Sequence, residues 1–185
     1  MKKTLYLFTC VLSLCLLVSV VKAGDDDEIK KHPGYVDFSS IDIPGDAEET
    51  VEISIKGPVL KFVANITRDE DRSLSRVLAQ LLLIRVNTFS LDHSDTKNLH
   101  NNIKKVESKL EKDKWEKIVR VSKRDERVNI YVKMNKKDRI EGLVVMVIDD
   151  DDEAVFINIV GEADWETLDK IGRKFDIDEL EDLEY

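Results

Sequence analysis

The chain has 185 residues with 29 basic and 38 acidic side chains, a formal charge of −9, and that length fits one domain rather than a repeat array or a large multidomain enzyme. With 42% hydrophobic and 36% charged residues, it carries enough apolar material for a core and too much for a disordered chain.

The first segment reads as an export signal. Met1-Lys2-Lys3 is a basic start, Leu5 to Val21 is almost wholly apolar, and Val21-Lys22-Ala23 puts small residues at a cleavage position, so cleavage is expected between Ala23 and Gly24. The apolar run is close to the ~20 residues that span a bilayer, which makes a retained anchor the competing reading. The cleavage position that follows at once favours removal. Lipidation at Cys15 is disfavoured by the bulky Leu14 before it, and Cys10 sits too early in the run. Removing residues 1–23 leaves 162 residues with a net charge of −12 and takes away both cysteines. The processed chain is then expected to have no disulfide, thiol nucleophile or thiolate metal site. The Met-Lys-Lys-Thr start points to a bacterium, and the expected location is periplasmic or secreted.

Residues 24–50, with Asp25-Asp26-Asp27-Glu28, Pro33-Gly34 and Pro44-Gly45, read as an extended acidic leader. A single α+β domain is expected over 51–175. Val51, Ile53 and Ile55 alternate with polar neighbours as a strand, ended by Gly57-Pro58. Pro58 suits the first turn of a helix with an apolar stripe of Val59, Phe62, Val63 and Ile66. Leu74, Val77, Leu78 and Leu81 repeat the helical spacing, and Leu82 to Phe89 follow as a strand. Asp92 or Ser94 can cap a helix carrying Leu99, Ile103, Val106 and Leu110 on one face.

Four strands are then expected, Trp115 to Val121, Arg127 to Met134, Arg139 to Ile148 and Ala154 to Val160. Their short connections favour an antiparallel meander. The third is apolar on both sides and belongs inside the sheet. Asp164 caps an expected helix with Trp165, Leu168 and Ile171 on one side, and 176–185 form an acidic tail. The fold class is α+β, a mostly antiparallel sheet with a C-terminal four-strand meander and helices on one face.

Charge is uneven: 104–139 hold 14 basic and 7 acidic residues, whereas 140–185 hold 3 and 16. The basic stretch, Lys104 through Arg127, alternates with Glu107, Glu111 and Asp113 and reads as a solvated helical face. Export, acidity and the lack of interleaved aromatics exclude nucleic acid as a partner. The run Asp149 to Glu153 lacks the ligand alternation and glycine of a calcium loop and reads as a hairpin turn. His32, His93 and His100 match no metal spacing. Trp115 and Trp165 sit among apolar neighbours and read as core anchors. There is no nucleophile elbow, phosphate loop, zinc-protease motif or dinucleotide fingerprint. Hence no catalytic, cofactor-binding or metal-ligating residue is assigned, and no cofactor is expected.

Three stretches together resemble a known family: Val51-Glu52-Ile53-Ser54-Ile55-Lys56-Gly57-Pro58-Val59-Leu60, then Leu83-Ile84-Arg85-Val86, then Leu110-Glu111-Lys112-Asp113-Lys114-Trp115-Glu116. Gly142 to Val147, Phe156 to Glu162 and Leu168 to Ile177 extend the likeness to the exported bacterial family called domain of unknown function 4252, over about residues 33–178. The resemblance implies a signal-bearing envelope protein with no assigned catalysis, some of whose relatives are encoded beside extracytoplasmic sigma factors. It departs from lipoprotein-type relatives in lacking a lipidation motif. The expected function is a non-enzymatic binding or accessory protein of the envelope with a protein partner and no integral membrane segment after cleavage, linked to envelope stress signalling. The alternative is a carboxylate-dependent hydrolase or carbohydrate-active enzyme.

Overall fold

The structure, a computed structural model, describes residues 24–38, 50–90, 96–123, 126–149 and 153–163. Alternating apolar residues build six strands: β1 (Thr50–Lys56), β2 (Leu81–Ser90), β3 (Glu116–Ser122), β4 (Glu126–Met134), β5 (Ile140–Asp149) and β6 (Glu153–Ala163). Their order is β1-β2-β6-β5-β4-β3, and every neighbouring pair is antiparallel. Strands β3 to β6 form the C-terminal meander, and β6 returns to lie beside β2. Among the described residues four helices accompany the sheet, α1 (Gly24–Lys30), α2 (Gly57–Thr67), α3 (Arg72–Gln80) and α4 (Thr96–Lys112), so the class is α+β.

Local chemistry sets the helix ends. Pro58 occupies the first turn of α2, where its missing N–H costs no hydrogen bond. Asp71 caps α3 by accepting from the N–H groups of Ser73 at 3.1 Å and Leu74 at 2.9 Å. Helix α4 stops in a left-handed turn at Lys114, φ 60°, where the Trp115 N–H donates to the Leu110 carbonyl at 2.9 Å.

The sheet is apolar on both sides and is covered on both. On the front face, Ile103, Val106 and Leu110 of α4 pack on Tyr131, Val144, Met146 and Phe156. On the rear face, Leu60 of α2 and Val77 of α3 pack with Leu81, Ile55 and Ile84 at the β1–β2 end. Helices therefore flank both faces, which corrects the one-face expectation. The reason is in β2 and β6, where Ile84 pairs with Ile159 on the rear while Asn87 pairs with Phe156 on the front. Apolar rows on both sides each need cover.

The leader is not simply extended. Gly24–Lys30 is helical, and Val36 and Phe38 belong to the front core. Asn158, fully buried, holds this segment: its Oδ1 accepts from the Val36 N–H at 2.9 Å, and its Nδ2 donates to the carbonyls of Gly34 at 3.0 Å and Leu143 at 3.2 Å. The backbones can meet because both contact residues are glycines. A Cβ on Gly34 would lie 1.9 Å from the Glu141 carbonyl oxygen, and one on Gly142 would lie 2.5 Å from Gly34 Cα and 2.7 Å from the Trp115 ring.

Helix α2 is also turned from its expected orientation. Its buried residues are Leu60 and Ala64, while Phe62 and Ile66 are 57% and 62% exposed. Ala64 faces α3, where the Ser75 hydroxyl donates to its carbonyl at 2.6 Å, so small residues rather than bulky ones mark the contact. The expected helix from Asp164, the tail 176–185, the export segment 1–23 and the caps Asp92 and Ser94 lie outside the described residues.

Candidate functional site

The C-terminal end of α4 and the segment Pro33 to Asp37 enclose a cleft of about 310 Å³ on the front of the sheet. Its floor is apolar, formed by Val36, Val106, Leu110 and Trp115. Trp115 is 5% exposed, so its indole closes the floor and does not stand free to stack a ligand. The rim carries Tyr35, two carboxylates, Asp37 and Asp113, and two ammonium groups, Lys109 and Lys133. Lys133 Nζ donates to the Asp113 main-chain carbonyl, which ties β4 to the end of α4. The volume is at the small end of ligand clefts, and the rim mixes both charges.

Next to this cleft, and sharing Lys109 and Asp113 with it, is a shallow hollow along the outer side of α4. Lys104, Lys105, Ser108 and Lys112 complete its lining. Lys105 Nζ donates to Asn102 Oδ1 at 3.0 Å. Helical spacing brings the four lysines to one side, because positions three and four apart are neighbours on a helix. The result is a basic strip on an acidic protein.

Beneath α4, Glu107 accepts from the Tyr131 hydroxyl at 3.1 Å and from Lys117 Nζ at 3.4 Å, and Lys117 lies 5.1 Å above the Tyr131 ring. Burial, then the negative charge of Glu107, hold the Tyr131 hydroxyl well above the usual tyrosine value. It stays protonated and acts as a hydrogen-bond donor. On the other side of Tyr35 a second cleft of about 370 Å³ lies over β1 and β2. There Arg85 donates to the Tyr35 hydroxyl at 3.1 Å and to Glu52 at 2.8 Å, and Lys56 pairs with Asp26, whose carboxyl is held below its usual value by that hydrogen bond.

Of the residues weighed from the sequence, the structure places Trp115 in the core, and it places Lys104, Lys105, Lys109 and Lys112 exposed on one helix. The Nδ1 of His32 accepts from the Gly34 N–H at 3.1 Å and shapes the turn that carries the leader onto the sheet. His93 and Trp165 lie outside the described residues, as do the side chain of His100 and residues 150–152 of the acidic run. The ends of that run, Asp149 and Glu153, close the antiparallel β5–β6 hairpin. Among the described residues no group of His, Cys, Asp or Glu is placed to hold a metal ion, and no helix is long and apolar enough to cross a membrane. Tyr35, Asp37 and Lys133 were not singled out from the sequence. The apolar alternation of Val36 and Phe38, which leaves Tyr35 and Asp37 on the other side, is the signal that could have found the first two.

The family described as "Domain of unknown function (DUF4252)" matches residues 39–171. The chain belongs to this family. No curated protein and no solved structure matches it. The DUF4252 match spans all six strands, α2, α3 and α4, and so includes Lys109, Asp113 and Lys133, whereas Tyr35 and Asp37 precede it.

Proposed function

We propose that this DUF4252 protein is an exported, non-enzymatic binding or accessory protein of the bacterial envelope, linked to envelope stress signalling, and that it takes an acidic segment of a protein partner along α4. The observation that carries the reading is the strip of Lys104, Lys105, Lys109 and Lys112, all exposed and continuous with a cleft that has an apolar floor. On a chain of net charge −9 such a strip attracts anionic groups locally while the rest of the surface repels them. The cleft beside it supplies apolar contact, the usual companion of charge at a protein interface.

A photo-crosslinking residue placed at Ser108 in living cells tests this against one placed at Leu82, on β2 away from α4. The expected result is one protein adduct at Ser108, weakened by salt and lost in a Lys104→Glu, Lys109→Glu, Lys112→Glu variant. The same adducts at both positions, or an adduct that survives the triple change, would overturn it. Fractionation of the same cells locates the protein, and recovery in the cytoplasm with Met1 intact would remove the export part.

A second reading has its own observation: Asp37 and Asp113 line one cleft beside Trp115. A pair of carboxylates around one small cleft is the minimum for hydrolysis of a glycosidic bond. Turnover of a chromogenic glycoside, abolished by either Asp37→Asn or Asp113→Asn, would favour this reading over the first.

A further inference from the structure

The cleft over β1 and β2 has a polar floor that follows from strand periodicity. In β1 the alternation of Val51, Ile53 and Ile55 leaves Glu52, Ser54 and Lys56 on the opposite side. The antiparallel register sets Ser54 across from Arg85 and Lys56 across from Leu83, and directly opposed residues share a face. Asp26, Ile29 and Lys30 of α1, with Tyr35, close the cleft from the leader side. At about 370 Å³ it lies near the lower end of the size range of small-molecule sites.

Arg85 carries the least satisfied group of this floor. Its side chain is 16% exposed, so the charge is largely out of water. A guanidinium has five N–H donors. Here Nη1 donates to the Tyr35 hydroxyl at 3.1 Å and Nη2 to Glu52 Oε1 at 2.8 Å, while Nε is buried with no acceptor among the described residues. Leaving a buried donor on a cation unsatisfied is uncommon and costs free energy. The Glu52 carboxylate meets the guanidinium at one nitrogen, where a carboxylate is able to engage two in parallel. Glu52 is itself 52% exposed, so it can turn out into solvent and uncover Nε.

We propose that this cleft binds a carboxylate carried on a short apolar body, held side-on by Nε and Nη2 of Arg85 in place of Glu52. The hydroxyl of Tyr35 accepts from Arg85 and so keeps its own proton as a further donor. With Glu52 turned out, Arg85, Lys30 and Lys56 stand against Asp26 alone, and Lys56 is paired with Asp26. The surplus positive charge favours an anion. Asp26 in the wall disfavours a dianion, and Glu52 already seats a planar carboxylate on Arg85. Ile29 and Leu83 supply the apolar part of the lining, for the body of the acid. The site is separate from the α4 strip and does not rest on the function proposed for it. A free short-chain acid and the C-terminal residue of a peptide share this chemistry.

An NMR titration of the purified protein reads the proposal at the Arg85 Nε–H itself. The probes are butyrate, butyramide, and trialanine with a free or an amidated C-terminus. Butyrate is expected to shift the Arg85 Nε–H and the Ile29 and Ser54 amides saturably, about tenfold more tightly than butyramide, as one charge-assisted pair would give. Tighter binding of free trialanine than of butyrate assigns the site to a chain terminus, and the reverse assigns it to a free acid; the amidated peptide should not bind. Arg85→Gln is expected to abolish saturation. Glu52→Gln, at a half-exposed position on an edge strand, is expected to keep the fold and to tighten butyrate several-fold, because a neutral side chain competes less well for Arg85. No saturable shift at the Arg85 Nε–H with either free carboxylate would overturn the inference. So would an equal response to butyramide, or a Glu52→Gln variant that binds butyrate no more tightly. If Arg85→Gln fails to fold, the amide comparison and Glu52→Gln decide.

Discussion

On the front face, Asn158 and the Gly34–Gly142 contact tie the leader to the sheet through defined atoms, whereas the rear cluster of β3 to β6 is made of Val, Ile, Leu and Ala side chains with no hydrogen-bonding group among them. Apolar burial is non-directional and roughly proportional to area, so it supplies stability without choosing one position. Buried polar groups cost free energy unless every partner is in place, so they select one arrangement. The front face is therefore specified and the rear face is merely dry. Loss of one atom group should cost more on the front than loss of one methyl group on the rear.

The largest effect is expected from Gly142→Ala. The new Cβ meets Gly34 backbone and the Trp115 ring at once, and we expect a loss of about 4 kcal/mol, above the usual 1–3 for overpacking because backbone on both sides cannot yield. Urea unfolding monitored by Trp115 emission measures it. A loss under about 1 kcal/mol would show that the leader is loosely held. Next, Asn158→Ala strands the Val36 N–H and the Gly34 and Leu143 carbonyls; about 2–3 kcal/mol should be lost, since each unsatisfied buried group costs about 1–3 but water can reach some of them. Exchange of the Val36 amide should accelerate in this variant more than that of the Ile130 amide.

Tyr131→Phe removes the hydrogen bond to Glu107 and should cost about 1.5 kcal/mol, the low end for a bond to a charged group. It also carries a pH signature. The Tyr131 pKa is raised on folding from 10.0, chiefly by burial, so the folded state holds this proton more tightly than the unfolded chain. Its contribution is fully present below pH 10.0 and falls as the pH rises through that value toward the folded pKa. Thermal melts from pH 9 to 11 should therefore fall more steeply for the native protein than for the Phe variant, and parallel curves would count against the buried Tyr131–Glu107 contact. On the rear, Ile130→Val should cost only about 1 kcal/mol. The smallest change has the opposite sign. Lys114→Gly, at φ 60°, relieves a left-handed conformation that costs a side-chain-bearing residue about 1 kcal/mol, and a gain of about 0.5–1 kcal/mol is expected.

The difference between the faces also explains what could be read from the sequence. The strands were legible within about two residues at most ends because alternation needs only neighbours: Val128, Ile130 and Val132 against Asn129 and Tyr131 announce β4 wherever it pairs. The interior place of β5 followed from its two apolar rows. Helix α2 was misoriented because its contact is made through Ala64 and Ser75, small residues to which a hydrophobic stripe gives little weight. The leader's burial was missed because two alternating residues, Val36 and Phe38, fall short of a strand signal and the acceptor that fixes them is far away in sequence. The cleft was hidden for the same reason: its walls come from α4, β4 and the leader, and no local pattern links Asp37, Lys109 and Lys133.

The Val36–Asn158 hydrogen bond joins residues 122 positions apart. Contacts at such separation carry the largest loop-closure cost and form after local ones. The meander of β3 to β6 closes through connections of a few residues, while the leader, made before every strand, has no acceptor for its Val36 amide until β6 has been made and paired. Among the described elements the leader is thus the last to lock, after β6 has paired. Pulse-labelled hydrogen exchange during refolding should show Val145 protected in the early phase and Val36 only in the late one.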